Sequence, residues 1–411
     1  MRVVKLLGVL VFAIVVASGA FVWGTWRELR RFRDTPFGTG AEKVVEIPQG
    51  TSPHGVVRLL AASGVLSSEA VAWRYLRWWK RDPRPMKAGE YAFSGAHTPD
   101  EVLERLYRGD VKTYRFTVPE GLRLDEIAPL VERAGLARAD EVLALARDPE
   151  VARELGVPFP SLEGYLFPDT YSFPRSAKAR NIVSAMVLRF HEAWRKAEAQ
   201  RKPGVTLEPG EAVVLASIIE KETGRPEERS RISCVFHNRL RRGMRLQTDP
   251  TVMYATLLRR GRWSANITRT DLAAPHPYNT YAVEGLPPGP IASPGEAALV
   301  AAVAPDDCRD LYFVSRNDGG HVFCPDMKCH AAAVQKWQVD YHRDRRAARV
   351  RAKAGPPAGG PAAAPGRASP PPPRSPPGSG PGPAPAAPPG SAPGGAPGGA
   401  PAPGGAGSGR G

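Results

Sequence analysis

A helix that is apolar on nearly every side has nowhere to go but the middle of a protein, and residues 208–254 of this chain open with one. The stretch reads EPGEAVVLASIIEKETGRPEERSRISCVFHNRLRRGMRLQTDPTVMY. Pro209 suits a first helical turn, where a missing N–H costs nothing. Glu211 places negative charge at the positive end of the helix. Val213, Val214, Leu215, Ile218 and Ile219 cover most of the circumference, and Gly224 offers a stop after Glu220, Lys221 and Glu222. The rest of the chain has to pack around this rod.

Glu220 falls on the same line of the helix as Val213 and Ser217. A carboxyl there is expected to be partly desolvated, which raises its pKa and lets it hold a proton for a leaving oxygen. The competing reading is a helix-end Glu in a surface ion pair with Lys221 or Arg225. Glu222 lies on the line of Leu215 and Ile218, so the pattern does not choose between the carboxyls.

Further segments stand in order around this stretch. SLEGYLFPDTY occupies 161–171, YNTY 278–281 and GLPPGPIASPG 285–295, with YFV at 312–314 and GGHVF at 319–323. Together with SIIEKETG, VFHNRL and GMRLQTDPTVMYA, this series resembles the YceG-like family of endolytic murein transglycosylases over residues 44–338. The resemblance implies an enzyme acting on peptidoglycan glycan strands, with Glu220 as the catalytic group and neither cofactor nor metal. It implies cleavage of the MurNAc-β-1,4-GlcNAc bond of nascent strands to leave 1,6-anhydro ends, one Glu serving as acid and then base. Peptidoglycan synthases are candidate partners.

Leu6 to Trp26 carries no charge and is long enough to span a bilayer. Arg2 and Lys5 precede it, and Trp23 and Trp26 suit an interfacial belt at its far end. Ser18-Gly19-Ala20 resembles a signal-peptidase site, but the apolar run continues past it, which favours an uncleaved anchor. Arg27, Arg30, Arg31 and Arg33 follow the span, and by the positive-inside rule alone they would hold the body in the cytoplasm. The family resemblance instead implies a single-pass protein of the bacterial cell membrane with its body on the outer, cell-wall side.

The net charge of +15 admits nucleic acid, anionic lipid or an acidic wall polymer as partner. No zinc-finger spacing, aromatic RNA-binding run or P-loop is present, which argues against nucleic acid. Of the cysteines, Cys324 and Cys329 with His321 and His330 lack zinc spacing; a local disulfide or free thiols fit better, a bond from Cys308 to Cys324 or Cys329 is one option, and the sequence does not choose the pairing.

The chain also repeats itself. VEIPQGTSPHGVVRLLAASGVL and FTVPEGLRLDEIAPLVERAGLA align without a gap, Pro48 on Pro119 and Gly50 on Gly121, 71 residues apart. Each reads as a strand, a Pro-x-Gly turn and a short amphipathic helix ended by Gly, and KAGEYAF supplies the first unit with a second strand. The unit resembles a LysM-like βααβ module, either a glycan binder or a spacer. Trp73, Trp78 and Trp79 are read as helix packing.

The expected class is α+β: cytoplasmic N-terminus 1–5, transmembrane anchor 6–26, basic linker 27–43, LysM-like module 44–115 and catalytic domain 116–343 with a second repeat unit at 116–137. From 344 a basic run gives way to Pro, Ala and Gly, a composition that buries no core and is expected to be disordered to 411. A single helix is expected from Val142 to Leu155.

Candidate sugar-binding residues are Asn238, Gln247, Thr248, Asp249, Tyr278, Asn279, Tyr281 and Glu163. Thr248 or Asp249 would also cap a helix that begins at Pro250. Glu163 is either a second catalytic carboxylate or a structural acceptor of backbone N–H groups. Two rival functions remain at this level: a non-catalytic wall-binding scaffold that recruits synthesis machinery, and a hydrolase pairing Glu220 with Glu163 or Asp249 to give reducing ends.

Overall fold

The computed structural model describes residues 2–354. Helix α1 (Arg2–Asp34) contains a segment long and apolar enough to cross a membrane, its large side chains from Val3 to Trp23 exposed. The helix does not stop at Trp26. It runs through the basic stretch expected to be a linker, because Leu29 and Phe32, three apart, form an apolar stripe. Both are buried against the first module, with Phe32 5.6 Å from the Tyr75 ring and Glu28 paired to Arg74 at 3.0 Å.

That module contains β1 (Lys43–Ile47), α2 (Pro53–Ala62), α3 (Glu69–Arg74), β2 (Gly89–Phe93) and α4 (Pro99–Arg108). β1 pairs antiparallel with β2, Val45 opposite Tyr91, and the alternating side chains Val45, Ile47, Tyr91 and Phe93 enter one core with Val56, Leu60 and Leu106. Helix α3 continues as a π-helical stretch, Tyr75–Lys80. Trp73 and Trp79 pack on the core, but Trp78 is exposed, contrary to expectation.

The second repeat is larger than 116–137. After β3 (Thr113–Thr117) come α5 (Leu124–Arg133), α6 (Ala139–Ala146), α7 (Pro149–Glu154) and β4 (Thr170–Pro174). β3 and β4 pair antiparallel, Phe116 opposite Tyr171, so strand, helices and returning strand follow the order of the first module. The closing strand comes from the SLEGYLFPDTYSF segment. The single helix expected from Val142 to Leu155 is broken, because Pro149 cannot continue α6 and Asp148 caps a new helix by accepting from Glu150 N at 2.9 Å.

Helices α8 (Ala179–Glu198), α9 (Pro209–Glu222), α10 (Arg229–Arg241), α11 (Asp249–Arg260), α12 (Arg269–Ala273) and α13 (Glu296–Val303) build the rest of the body. α9 is the predicted rod: every residue from Ala212 to Ile219 is buried, and α10, α11 and α13 pack on it. A hairpin of β5 (Tyr312–Ser315) and β6 (His321–Cys324) follows, then α14 (Met327–Val334) and α15 (Tyr341–Ala354). The basic run expected to begin the tail is therefore helical as far as Ala354; the remainder of that expectation concerns residues outside those described.

The cysteines pair as Cys234–Cys308 and Cys324–Cys329, not across from Cys308 to the hairpin. Each bond closes a loop, of 74 residues' separation for the first and 5 for the second.

Candidate active site

The α9 carboxyls diverge, as residues two apart on a helix must. Glu220 turns toward the β3–α5 turn and the start of α13. Its Oε2 accepts from Gly295 N at 3.0 Å, its Oε1 lies 3.3 Å from Arg229 Nη2, and its side chain is 6% exposed. It is neither a free surface Glu nor paired with Lys221 or Arg225. Lys221 Nζ donates to Gly121 O at 3.0 Å, and Arg225 reaches Asp318 O at 2.7 Å. Arg229 is itself buried, and its Nε has no partner among the described residues. A spare buried donor beside a carboxylate is suited to an incoming oxygen.

Glu222 turns the other way. It lines a groove of about 400 Å³ together with Gln247, Asp249, Tyr281, Arg239, Tyr312 and His321. Its carboxyl accepts from the Thr248 hydroxyl. Burial pushes this acid up to about 7; the Thr248 bond opposes the shift and the Asp249 charge adds to it. Glu220 is not among the residues that line this groove; His321, which is, meets Glu228 through Nδ1 at 2.7 Å, and Glu228 precedes Arg229 in the chain. A larger cleft of about 600 Å³ lies beside the Cys234–Cys308 bond and contains neither α9 carboxyl.

Of the other residues singled out from sequence, Gln247, Asp249 and Tyr281 line the groove, with Tyr281 Oη donating to Asp249 Oδ1 at 2.7 Å. Thr248 is buried behind them. It occupies the N-cap of α11, but its hydroxyl is spent on Glu222, so it makes no side-chain cap, and Pro250 is the second helical residue rather than the first. Asn238 does not reach the groove: its amide donates to Cys308 O at 3.1 Å and Asp310 O at 2.9 Å. Asn279 is fully buried and donates to the carbonyls of Asp271, Leu272 and Ala274. Tyr278 packs on the Tyr254 ring at 5.0 Å.

Glu163 is buried away from the groove. It accepts from Leu124 N, the first residue of α5, at 3.2 Å and from Tyr254 Oη at 3.1 Å. Burial pushes it up to about 7, against those two hydrogen bonds. A carboxyl whose folded pKa is raised stabilises fully below its unfolded value of 4.5 and loses that contribution as pH rises through about 7. Glu163→Gln keeps both contacts without the ionisation. It should leave stability unchanged near pH 4 and raise it by on the order of 2–3 kcal/mol at pH 8, read as the urea midpoint at each pH. An unchanged pH 8 midpoint would refute this placement.

Gln247 holds a left-handed backbone, φ +48°, at the groove wall, pinned by Gln247 N donating to Thr280 O at 3.1 Å. Such strain in a non-glycine residue costs about 1–2 kcal/mol. Gln247→Gly should therefore stabilise the fold by up to about 1 kcal/mol while lowering substrate turnover. A variant both less stable and fully active would show that the side chain serves folding instead.

Spacing and pattern did not single out Arg229, Gly295 or Glu120, whose carboxyl lies 3.6 Å from Arg229 Nη2. One signal was present: in the repeat, the residue between Pro and Gly is Gln49 in the first unit and Glu120 in the second.

The architecture and site define a mixed α+β protein whose buried central helix ends in two carboxyls, one beside a polar groove and one clasped by an arginine and a backbone amide. The YceG-like family model matches residues 45–336, and the chain belongs to that family. It is 31% identical over 312 residues to an endolytic murein transglycosylase of Bacillus subtilis, covering 71% of this chain and 84% of that one. It is 28% identical over 321 residues to the endolytic murein transglycosylase of Streptococcus pneumoniae serotype 2, covering 70% of this chain but only 57% of that longer protein. A crystal structure of a YceG-like protein from Listeria monocytogenes shares 30% identity, covers 72% of this chain and 99% of its own, and superposes with a TM-score of 0.48.

Proposed function

We propose that this chain is a membrane-anchored lytic transglycosylase that cleaves the MurNAc-β-1,4-GlcNAc bond within nascent peptidoglycan strands and leaves 1,6-anhydro-MurNAc ends. The substrate class follows from the name shared by its relatives. The observation that carries the acid–base role is Glu220, shielded from solvent at the end of the core helix and held by Gly295 N and Arg229.

Protonated Glu220 gives its proton to the glycosidic oxygen as the C1–O4 bond breaks. The muramic 6-hydroxyl forms the O6–C1 bond, and its proton returns to the Glu220 carboxylate. The nucleophile belongs to the substrate, so its effective concentration is high and no second carboxylate is needed to activate water. The scheme calls on no cofactor or metal. Gln247, Asp249 and Tyr281 would hold sugar hydroxyls. α1 would serve as the single-pass anchor with the body on the cell-wall side, limiting cutting to strands near the membrane. The two strand–helices–strand units, which the sequence likens to LysM modules, would hold glycan or space the site from the bilayer.

A second reading has its own support: Glu222 lines the groove and is lifted to about 7, the range of a working acid at neutral pH. Full-length protein in detergent should release anhydro-ended fragments from purified sacculi, identified by mass spectrometry. Reducing ends would indicate a hydrolase, and no products a wall-binding scaffold that recruits synthesis machinery. If Glu222→Gln alone abolishes release, the acid is Glu222.

A further inference from the structure

The GGHVF segment takes no part in the scheme above, yet its histidine stands in the wall of the groove. His321 opens β6, opposite Ser315, and is held from two sides. Glu228 ends the turn Pro226–Glu228 that leads into α10. Its Oε1 accepts from His321 N at 2.9 Å and its Oε2 from His321 Nδ1 at 2.7 Å. The Phe313 ring meets the imidazole edge to face, 5.3 Å away at 85°. Both side chains of the His321–Glu228 pair are nearly out of solvent, 11% and 12% exposed. The hairpin has a separate anchor beside the same turn, Arg225 donating to Asp318 O at 2.7 Å, which does not involve the ring.

A carboxylate offers only lone pairs, so Nδ1 carries the proton, and in the neutral ring Nε2 is left as an acceptor. The shape of the ring turns that lone pair away from Glu228. Nε2 has no hydrogen-bond partner among the described residues and is not sealed off from the groove. Phe313, Leu246 and Met327 give the same groove apolar surface, and Met327 is 58% exposed. Its other donors are already engaged: Tyr281 donates to Asp249, and Arg239 to the carbonyls of Leu311 and Leu246. A lone acceptor beside a small apolar surface suits a secondary amide, which has an N–H to donate, a methyl to bury and no charge to desolvate. We propose that His321 is a specificity-determining residue whose Nε2 accepts the N–H of a sugar acetamido group, with Phe313 and Met327 against the methyl, and that Glu228 is the positioning residue that fixes the tautomer of the ring. The inference rests on the reading of the chain as an enzyme of peptidoglycan strands, in which both sugars carry that group.

The paired bonds at Glu228 make the tautomer open to test. The backbone N–H of His321 can only donate, so in Glu228→Gln the amide oxygen takes the place of Oε1. The amide NH2 then faces Nδ1, which has to accept, and the ring proton moves to Nε2. An isosteric change on the far side of the ring thus turns the groove nitrogen from acceptor to donor. His321→Asn does the complement. Its amide N–H stands where Nδ1 stood and keeps the bond to Glu228, while the Nε2 position is vacated.

The test is binding of chitopentaose, an oligomer of N-acetylglucosamine, and of cellopentaose, which has hydroxyls in place of the acetamido groups. Both are titrated into full-length wild type, His321→Asn and Glu228→Gln in detergent, each checked by thermal melting. Chitopentaose affinity should fall by about five- to tenfold in either variant, while cellopentaose binding stays at the wild-type level. On sacculi the half-saturating concentration should rise and the limiting rate change little. In isotope-labelled wild type, nitrogen NMR should find His321 Nε2 unprotonated, and chitopentaose should move that resonance and leave Nδ1 in place; this reading stands even where a variant does not fold. Variants that bind chitopentaose like wild type, equal losses for both oligomers, or a wild-type ring protonated on Nε2 overturn the proposal. So does a wild type that cuts sacculi yet shows no preference for chitopentaose. A wild type that neither binds chitopentaose nor cuts sacculi would instead overturn the reading beneath it.

Discussion

Glu220→Gln should abolish the release of anhydro-ended fragments while leaving a folded protein. Positioned proton transfer contributes about 10²–10⁴-fold, and here one group is asked to supply it twice in each turnover. The expected fall is therefore at least about 10³-fold, read as fragment yield per unit time from sacculi. The amide oxygen still accepts from Gly295 N. Arg229 loses one anionic partner but keeps Glu120, so the charge left behind is not orphaned. The stability loss should stay within about 1–2 kcal/mol. A protein that melts like wild type and cuts nothing meets the expectation; one that cuts within tenfold of wild type removes Glu220 from the chemistry.

Gly164→Ala should do the opposite, taking stability and activity down together. Gly164 lies in the SLEGY turn at φ +81°, and a Cβ there would be 2.4 Å from Pro290 Cβ, 2.9 Å from Pro290 Cγ and 3.3 Å from Ala292 O. None of these is the free end of a flexible chain. Pro290 is a buried ring, and the loop it belongs to is tied to α9, with Ile291 N donating to Ser217 Oγ at 3.1 Å. A left-handed alanine costs about 1–2 kcal/mol, and forcing the contact open about 1–3 kcal/mol more. A loss of roughly 3–4 kcal/mol follows, seen as a lower urea midpoint with unchanged slope. The same loop ends at Gly295, so moving it also loosens the amide that holds Glu220. A midpoint within the equivalent of about 1 kcal/mol of wild type would mean that the turn is not seated on Pro290.

This contact explains in physical terms why two motifs 120 or so residues apart accompany one another: the glycine of one is the socket for the proline of the other. Nothing in the local spacing of either segment announces that. The same limit separated Asn238, Tyr278 and Asn279 from the groove. Each has the amide or phenol that a sugar site needs, but a buried loop needs the same groups for its own carbonyls and packing. Side-chain chemistry alone does not distinguish the two uses. Thr248 shows this most directly: its position at the head of α11 was legible, yet its hydroxyl serves Glu222 rather than the helix.

What the residues by themselves determined were features that repeat or saturate a local rule. The apolar surface of 212–219, interrupted only at Ser217, required burial wherever the helix lay. The 71-residue repeat required two similar units, and Asn317 to Gly320 required a hairpin between β5 and β6. Only the tertiary structure decided which neighbour each α9 carboxyl meets. Helical periodicity fixes the direction in which a side chain leaves its helix, but not what is waiting there. Glu120 arrives beside Glu220 from 100 residues away because backbone hydrogen bonds at Gly121, Leu122 and Ser293 hold its turn against the end of α9. Those bonds join backbone groups that every residue carries, so the sequence has no letter for them.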